Sequence, residues 1–156
     1  AVRPRLCLAL GLAAGAAAAA AAESVVDRTI DPGLWEVTST VESGDMPGAQ
    51  MDVGRVMDRA PTVTRHCLTP EDAAKGPEAL LLLTRPDCSF LRSSLDRGRL
   101  HATLSCGAGT PDEMSVEVNG RFSSKRYKAV SDIAMARDHM AMTVTATAKW
   151  IGACSS

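Results

Sequence analysis

Hydrophobic and polar residues alternate most cleanly toward the C-terminal end of the chain. Met140, Met142, Val144, Ala146, Ala148, Trp150 and Cys154 fall on one side, and Thr143, Thr145, Thr147 and Lys149 on the other. A period of two marks a half-buried strand, because successive side chains of an extended chain point to opposite faces. Met114, Val116, Val118 and Phe122 repeat the pattern, and Tyr127, Ala129, Ile133 and Met135 resume it after Ser123-Ser124-Lys125. These three strands form a meander. Its last turn falls at Arg137-Asp138, because odd-numbered inward residues pass to even-numbered ones only through a loop of even length.

Nearer the N-terminus, Trp35, Val37 and Val41 alternate with Glu36, Thr38 and Thr40 after the breaker Asp31-Pro32-Gly33, so another strand starts there. A loop around Gly44 to Gly48 leads to Met51, Val53 and Met57, and Val63 with Cys67 marks a further short strand. Thr69-Pro70-Glu71-Asp72 interrupts the alternation. Thr suits a helix cap, Pro the first helical position, and an acid three residues after the cap can bond back, so a short helix is expected to about Lys75. Pro77 to Thr84, with Leu80 to Leu83 at its centre, reads as a second helical turn or a buried strand, and helix is preferred. The fold class is mainly β: an antiparallel meander sheet or partly closed barrel of about 6–8 strands, with one or two short helices and two disulfides.

The first residues change the picture of where this domain works. Arg3 and Arg5 precede an apolar, small-residue run to Ala22, and then the polar Glu23-Ser24. That order is the grammar of a secretory signal peptide, with Ala20-Ala21-Ala22 offering the small residues a signal peptidase reads. Residues 1–22 are therefore expected to be a signal peptide cut before Glu23, and residues 23–156 a single β-rich domain. Cys7 leaves with the leader. The run is mostly Ala and too weakly apolar to hold a membrane span, so no transmembrane anchor is expected in the mature chain.

Removing 22 of 156 residues leaves 134, enough for one core. It also leaves fifteen Lys and Arg against eighteen Asp and Glu, a net charge of −3, with no basic block along the chain. Nucleic acid is not expected as a partner. Aromatics are scarce: Trp35, Phe90, Phe122, Tyr127 and Trp150. Small aliphatics and Met must fill the core, which makes covalent staples useful.

Four cysteines remain, Cys67, Cys88, Cys106 and Cys154, and an even number in an oxidising compartment implies two disulfides. Asp96-Arg97-Gly98 is a hairpin turn signal for a three-residue loop. With Arg97 at its centre, opposed residues sum to 194, as 88 and 106 do. Phe90 then opposes Leu104 and Leu91 opposes Thr103, so one face reads Cys88, Phe90, Ala102, Leu104 and Cys106. Cys88–Cys106 is the expected cross-strand bridge, leaving Cys67–Cys154 to close a long loop. Arg92 falls on the apolar face, so the register should shift or the sheet end near it.

Pro32-Gly33-Leu34-Trp35-Glu36, His66-Cys67-Leu68-Thr69-Pro70-Glu71, Cys106 and the closing Trp150-Ile151-Gly152-Ala153-Cys154 together form a pattern. The chain resembles a family of small exported bacterial proteins known only as a domain of unknown function, with "PGLWE", "CLTP" and tryptophan-glycine-cysteine signatures. The likeness runs from Asp31 to Cys154. It implies a Gram-negative periplasmic setting and carries no activity, ligand or catalytic residue.

Candidate chemistry is thin. His66 lies beside Cys67, but neighbouring strand residues face opposite ways and an oxidised thiol is no nucleophile. His66, His101 and His139 lack the spacing of zinc ligands. No Ser sits in a G-x-S-x-G elbow. Glu71 and Asp72 are explained by a helix start, and the Thr143, Thr145, Thr147 ladder by strand propensity on a wet face. No catalytic, cofactor-binding or metal-binding residue and no cofactor is expected.

Gly33-Leu34-Trp35 also matches the short opening of lipocalins, and a Met-rich inner face suits an irregular apolar ligand. The expected function is accordingly a non-enzymatic binding module of the cell envelope, engaging a protein or envelope component. The alternative is a lipocalin-like carrier of a small apolar ligand, with a cavity lined by Trp35, Met140, Met142, Val144 and Trp150.

Overall fold

The computed structural model describes residues 29–45 and 60–155. The expected signal peptide, residues 1–22, and the Met51, Val53 and Met57 segment lie outside the described residues. The elements run β1 (Gly33–Asp45), β2 (Thr62–Leu68), α1 (Pro70–Ala73), α2 (Pro77–Thr84), β3 (Cys88–Asp96), β4 (Arg99–Cys106), β5 (Met114–Ser123), β6 (Arg126–Met135) and β7 (Ala141–Gly152). All described strands join one antiparallel sheet in the order β2-β1-β7-β6-β5-β4-β3. The sheet is open, with β2 and β3 at its edges, so of the two expected architectures the meander sheet forms and the barrel does not close.

The alternation sorts the two faces. Trp35 and Val37 of β1, Ala148 of β7, Tyr127 and Ala129 of β6, Val116 and Val118 of β5, and Ala102 and Leu104 of β4 are all buried. The chain leaves the sheet at the β2 edge and re-enters at the β3 edge, so α1 and α2 form the crossing. Their buried Ala73, Ala79, Leu80 and Leu81 share one hydrophobic core with the inward strand residues. Thr69 caps α1 by accepting from the Asp72 N–H at 3.1 Å, and its hydroxyl donates to the Asp72 carboxylate at 3.0 Å. Pro77–Thr84 is helical, as preferred.

The β3–β4 hairpin carries two registers. Opposed residues sum to 195 from Asp96 and Arg99 up to Arg92 and Thr103, then to 194 from Phe90 and Leu104 to Cys88 and Cys106. The turn is thus the two residues Arg97-Gly98, both at positive φ (46° and 71°), as a type I′ turn requires. A bulge near Leu91 absorbs the extra residue: Leu91 does not oppose Thr103 as expected but is 63% exposed, and Arg92 takes its place. The register shift expected near Arg92 is present.

Three other expectations change. In β2 the strand forms, but Leu68 is buried while Val63 is exposed, so the inward set is the even-numbered one. The last turn is longer than Arg137-Asp138: Met135 N–H donates to the Met140 carbonyl at 2.8 Å, leaving residues 136–139 as the loop. Its length is even, as parity demands. Met140 therefore precedes β7 instead of lying on its inner face, and Cys154 lies beyond the strand, past Gly152.

Both disulfides join the expected partners. Cys67–Cys154 ties β2 to the C-terminal end across 87 residues of chain, with Cα atoms 5.6 Å apart. Cys88–Cys106 links paired strands across 18 residues.

Where β1 meets β7, Gly33 sits at φ +138°, and a Cβ there would run into the Gly152 carbonyl oxygen and the Trp150 indole nitrogen. Gly33→Ala is expected to cost about 3 kcal/mol through backbone strain and overlap together; an unchanged urea midpoint for the oxidised protein would refute this seam. In the chain-entropy picture, removing Cys67–Cys154 by paired Ala substitution should cost about 4–5 kcal/mol, and removing Cys88–Cys106 about 3 kcal/mol. Denaturant melts of the two double variants check the order.

Tyr127, the chain's single tyrosine, stacks on Phe122 with ring centroids 5.0 Å apart. Burial pushes its phenol up to about 12 from 10.0, partly offset by the Arg85 charge. Because the folded value is the higher one, the stability contribution is whole below pH 10.0 and is lost as pH rises toward about 12. Phenolate absorbance should therefore appear together with loss of sheet circular dichroism, and Tyr127→Phe should remove that alkaline loss. Ionisation near 10 in an intact sheet would contradict the burial.

Candidate functional site

The face opposite the helices is polar, and strand register decides which of its side chains meet. Opposed pairs place Thr38 of β1, Thr147 of β7, Lys128 of β6, Arg121 of β5 and Arg99 of β4 in one row across five strands. The next row holds Arg65 of β2, Glu36 of β1, Lys149 of β7 and Arg126 of β6. Neighbouring strands are ~4.8 Å apart, so Arg99, Arg121 and Lys128 spread their charges over roughly 10 Å of backbone.

Of the acids of this region Glu36 is committed to two cations, and Asp96 opposes Arg99 across the β3–β4 ladder. Glu36 takes Lys149 Nζ at 3.1 Å on one oxygen and Arg65 at 2.9 Å on the other. Hydrogen bonds from Lys149 first and Arg65 second hold its carboxyl below the usual range, so it stays ionised. Asp96 neighbours Arg97 in the turn at 3.7 Å, with both side chains in solvent. Arg99, Arg121, Arg126 and Lys128 make no ion pair among the described residues. An open groove of about 680 Å³ runs over part of this cluster, lined among others by Glu36, Arg97, Arg121, Arg126, Lys128 and Lys149, and an adjoining one of about 550 Å³ is lined by Asp96, Arg99, Arg121 and Lys128 among others.

The turn is fixed against the groove by its backbone. Phe122 N–H donates to the Gly98 carbonyl at 2.7 Å, and a Cβ on Gly98 would press on the Phe122 carbonyl. Arg97 is thereby held at the groove's end with its side chain 88% exposed. At the opposite end of the sheet a second groove, about 490 Å³, is lined by Leu91, Met114, Met135, His139 and Met140 among others.

The five residues expected to line a carrier cavity are spread over β1, β7 and the position before β7. Trp35 is fully buried and its indole donates to the Asp31 carbonyl at 2.9 Å. Trp150 donates to the Pro32 carbonyl at 3.0 Å, under the Lys125 ammonium. Met142 and Val144 are half-buried along β7, and Met140 belongs to the second groove. Cys67, Cys154, Cys88 and Cys106 are all oxidised.

The threonine ladder faces outward as expected, with Thr143 donating to Asp132 at 2.8 Å. His66 meets Thr64 and His101 meets Asn119. Among the described residues no three His, Cys, Asp or Glu side chains cluster to hold a metal ion. No helix among them is long and apolar enough to cross a membrane.

The charged row escaped sequence reading because its members are scattered from Arg97 to Lys149. The usable signal was the turn Ser124-Lys125: centring a hairpin there sets Arg121 opposite Lys128.

The motif residues converge elsewhere, at the β1–β7 seam. Asp31 N–H donates to the Ser124 carbonyl at 2.7 Å and Trp150 N–H to the Lys125 carbonyl at 2.9 Å, which docks the Pro32-Gly33 entry onto the β5–β6 turn. Gly33, Trp35, Trp150, Gly152 and the Cys67–Cys154 bridge thus act in folding. No curated protein and no solved structure matches the chain. A family model described as a protein of unknown function (DUF3617) matches residues 30–154, the whole span from the Asp31 entry to Cys154, and the chain belongs to that family.

Proposed function

We propose that this protein is a non-enzymatic, exported binding module of the bacterial cell envelope, which works in the periplasm after residues 1–22 are removed and engages a protein or envelope component through the open face of its sheet. The observation that carries the reading is the division of labour between the faces. One face packs against α1 and α2, and the other presents a polar groove on rigid strands. Two disulfides fit an oxidising compartment. The groove's side chains also suit binding, because guanidinium and ammonium groups hold anions.

A carrier of a small apolar ligand is the second reading, favoured by Val41, Met142, Val144 and Ala146, which lie half-buried on the helix-covered face. Site-specific photo-cross-linking in the native envelope separates the two. A benzophenone at Thr147 should yield a discrete adduct, and one at Met142 should not. Adducts confined to Met142, together with a small-molecule mass lost on denaturation in native mass spectrometry, would replace the surface reading with the carrier. No adduct at Thr147 would overturn the surface reading.

A further inference from the structure

We infer that the groove is a binding site for a multivalent anion, a ligand carrying two or more phosphate groups, gripped by Arg97, Arg121, Arg126 and Lys128, with Arg99 reaching in from the adjoining groove that shares Arg121 and Lys128. The inference rests on the open face being the binding surface, and it names what that surface takes.

Two local features that folding does not need meet in this one place. The first is the row itself. Like charges directly opposite across a ladder are destabilising, yet Arg99, which has Asp96 opposite it on the β3 side, opposes Arg121 on the other, and Arg121 opposes Lys128. Arg126 beside Lys149 adds another such contact, of which Glu36 offsets only the Lys149 side. Further along the face the same strands show that opposite partners are available. There His101 stands between Asn119 and Glu117, and Asp132 accepts from Thr143. The concentration of cations also runs against the whole chain, whose net charge is −1.

The second feature is the turn. Its first residue is at φ +46°, where Asn, Asp or Gly is favoured and a long L side chain is not. An arginine there gains the fold only a solvent-exposed pairing with Asp96, but it places a fifth cation at the end of the groove. Observed strain of this sort is grounds for a functional reading.

The residue types define the ligand. Four of the five groups are guanidinium forks, which pair two N–H groups with two oxygens of one phosphate. A row spanning roughly 10 Å, with Arg126 beside it and Arg97 at its end, is too long for one phosphate and suits two or three. Single-stranded nucleic acid is disfavoured because it needs exposed aromatic platforms. The two rings nearest the groove, Phe122 and Tyr127, are buried on the other face.

Calorimetry on the full, oxidised protein tests the inference with inorganic tripolyphosphate, inorganic phosphate, and phosphatidylcholine vesicles with or without a bisphosphorylated glucosamine-disaccharide lipid. Saturable tripolyphosphate binding is expected, at least about tenfold tighter than orthophosphate and weakening steeply with salt. Arg121→Gln with Lys128→Gln should weaken it by about tenfold or more, and Arg97→Asn by a smaller factor while keeping the turn. Arg92→Gln with Arg137→Gln removes the same total charge from elsewhere and should leave affinity within about twofold. Because the row is repulsive, R121Q/K128Q should melt no lower than the parent; a clearly lower Tm would overturn that premise.

Binding to tripolyphosphate and to the glycolipid vesicles supports a phosphate-cluster site open to soluble ligands. Binding to those vesicles alone supports the same site and assigns its source to a lipid headgroup. Binding to neither, or equal loss in the R92Q/R137Q control, overturns the anion inference. If the Thr147 adduct persists in that event, the surface reading stands without it; if the adduct is also absent, both fall.

Discussion

Gly33 packs where the Gly152 carbonyl and the Trp150 indole leave no room for a side chain, and this contact seats the first strand beside the last. Without it the chain would be two separate pieces, a β1–β2 hairpin and a β3–β7 meander. Neither has the inward surface to seal a core alone. The seam is held from four directions. Trp35 and Trp150 bond back to the carbonyls of Asp31 and Pro32, Lys125 covers the Trp150 ring and pairs with Asp31, and Cys67–Cys154 locks β2 to the end of the chain. That concentration gives Pro32-Gly33-Leu34-Trp35 and Trp150-Ile151-Gly152 a role in holding the strands together.

Closure by pairing the chain ends also dictates the helices. With β2 at one edge and β3 at the other, the link between them must cross a face of the sheet. The sequence of that link supplies Leu80 and Leu81 for the crossing. Ala102, Ala129 and Ala148 are buried along β4, β6 and β7 in the same core as the helix residues. A chain so poor in aromatics can build a tight core in this way, with small residues on the sheet and leucines on the helices.

Inward and outward sorting was legible because alternation needs only one strand at a time. β5 follows it along its length, β6 does so with the polar Ser131 buried among its inward residues, and in β7 burial alternates only from Thr147 onward. Pairing of Cys88 with Cys106 was legible too, though through a compensation: the turn is one residue shorter than the three-residue loop expected, and the Leu91 bulge restores the sum at the cysteines. A bulge has no strong local signal except a misplaced residue, and Arg92 on an apolar face was that signal. The length of the β6–β7 loop and the inverted face of β2 were not legible, since Val63 looks more apolar than Thr64 and only the sheet edge shows which way each points. The cationic groove demands more still, because it depends on registers of four strand pairs at once.

The placement of that groove is consistent with the energetics of the rest. Cations on strands start from fixed Cα positions, so an anion arriving there orders side chains but not backbone, and the cost of binding falls. Such preorganisation requires a sheet that tolerates repulsion on one face. The opposite face, the seam and the two bridges supply the compensating stability. Arg97 extends the same logic into a turn: Gly98 binds its carbonyl to Phe122 N–H, so even the residue beyond the strand ends has its backbone held against β5. A flexible loop could carry as many arginines, but it would lose more freedom for each phosphate it held. The arrangement of rigid strands, concentrated positive charge and a constrained turn is therefore more informative about the ligand than the number of basic residues in the chain.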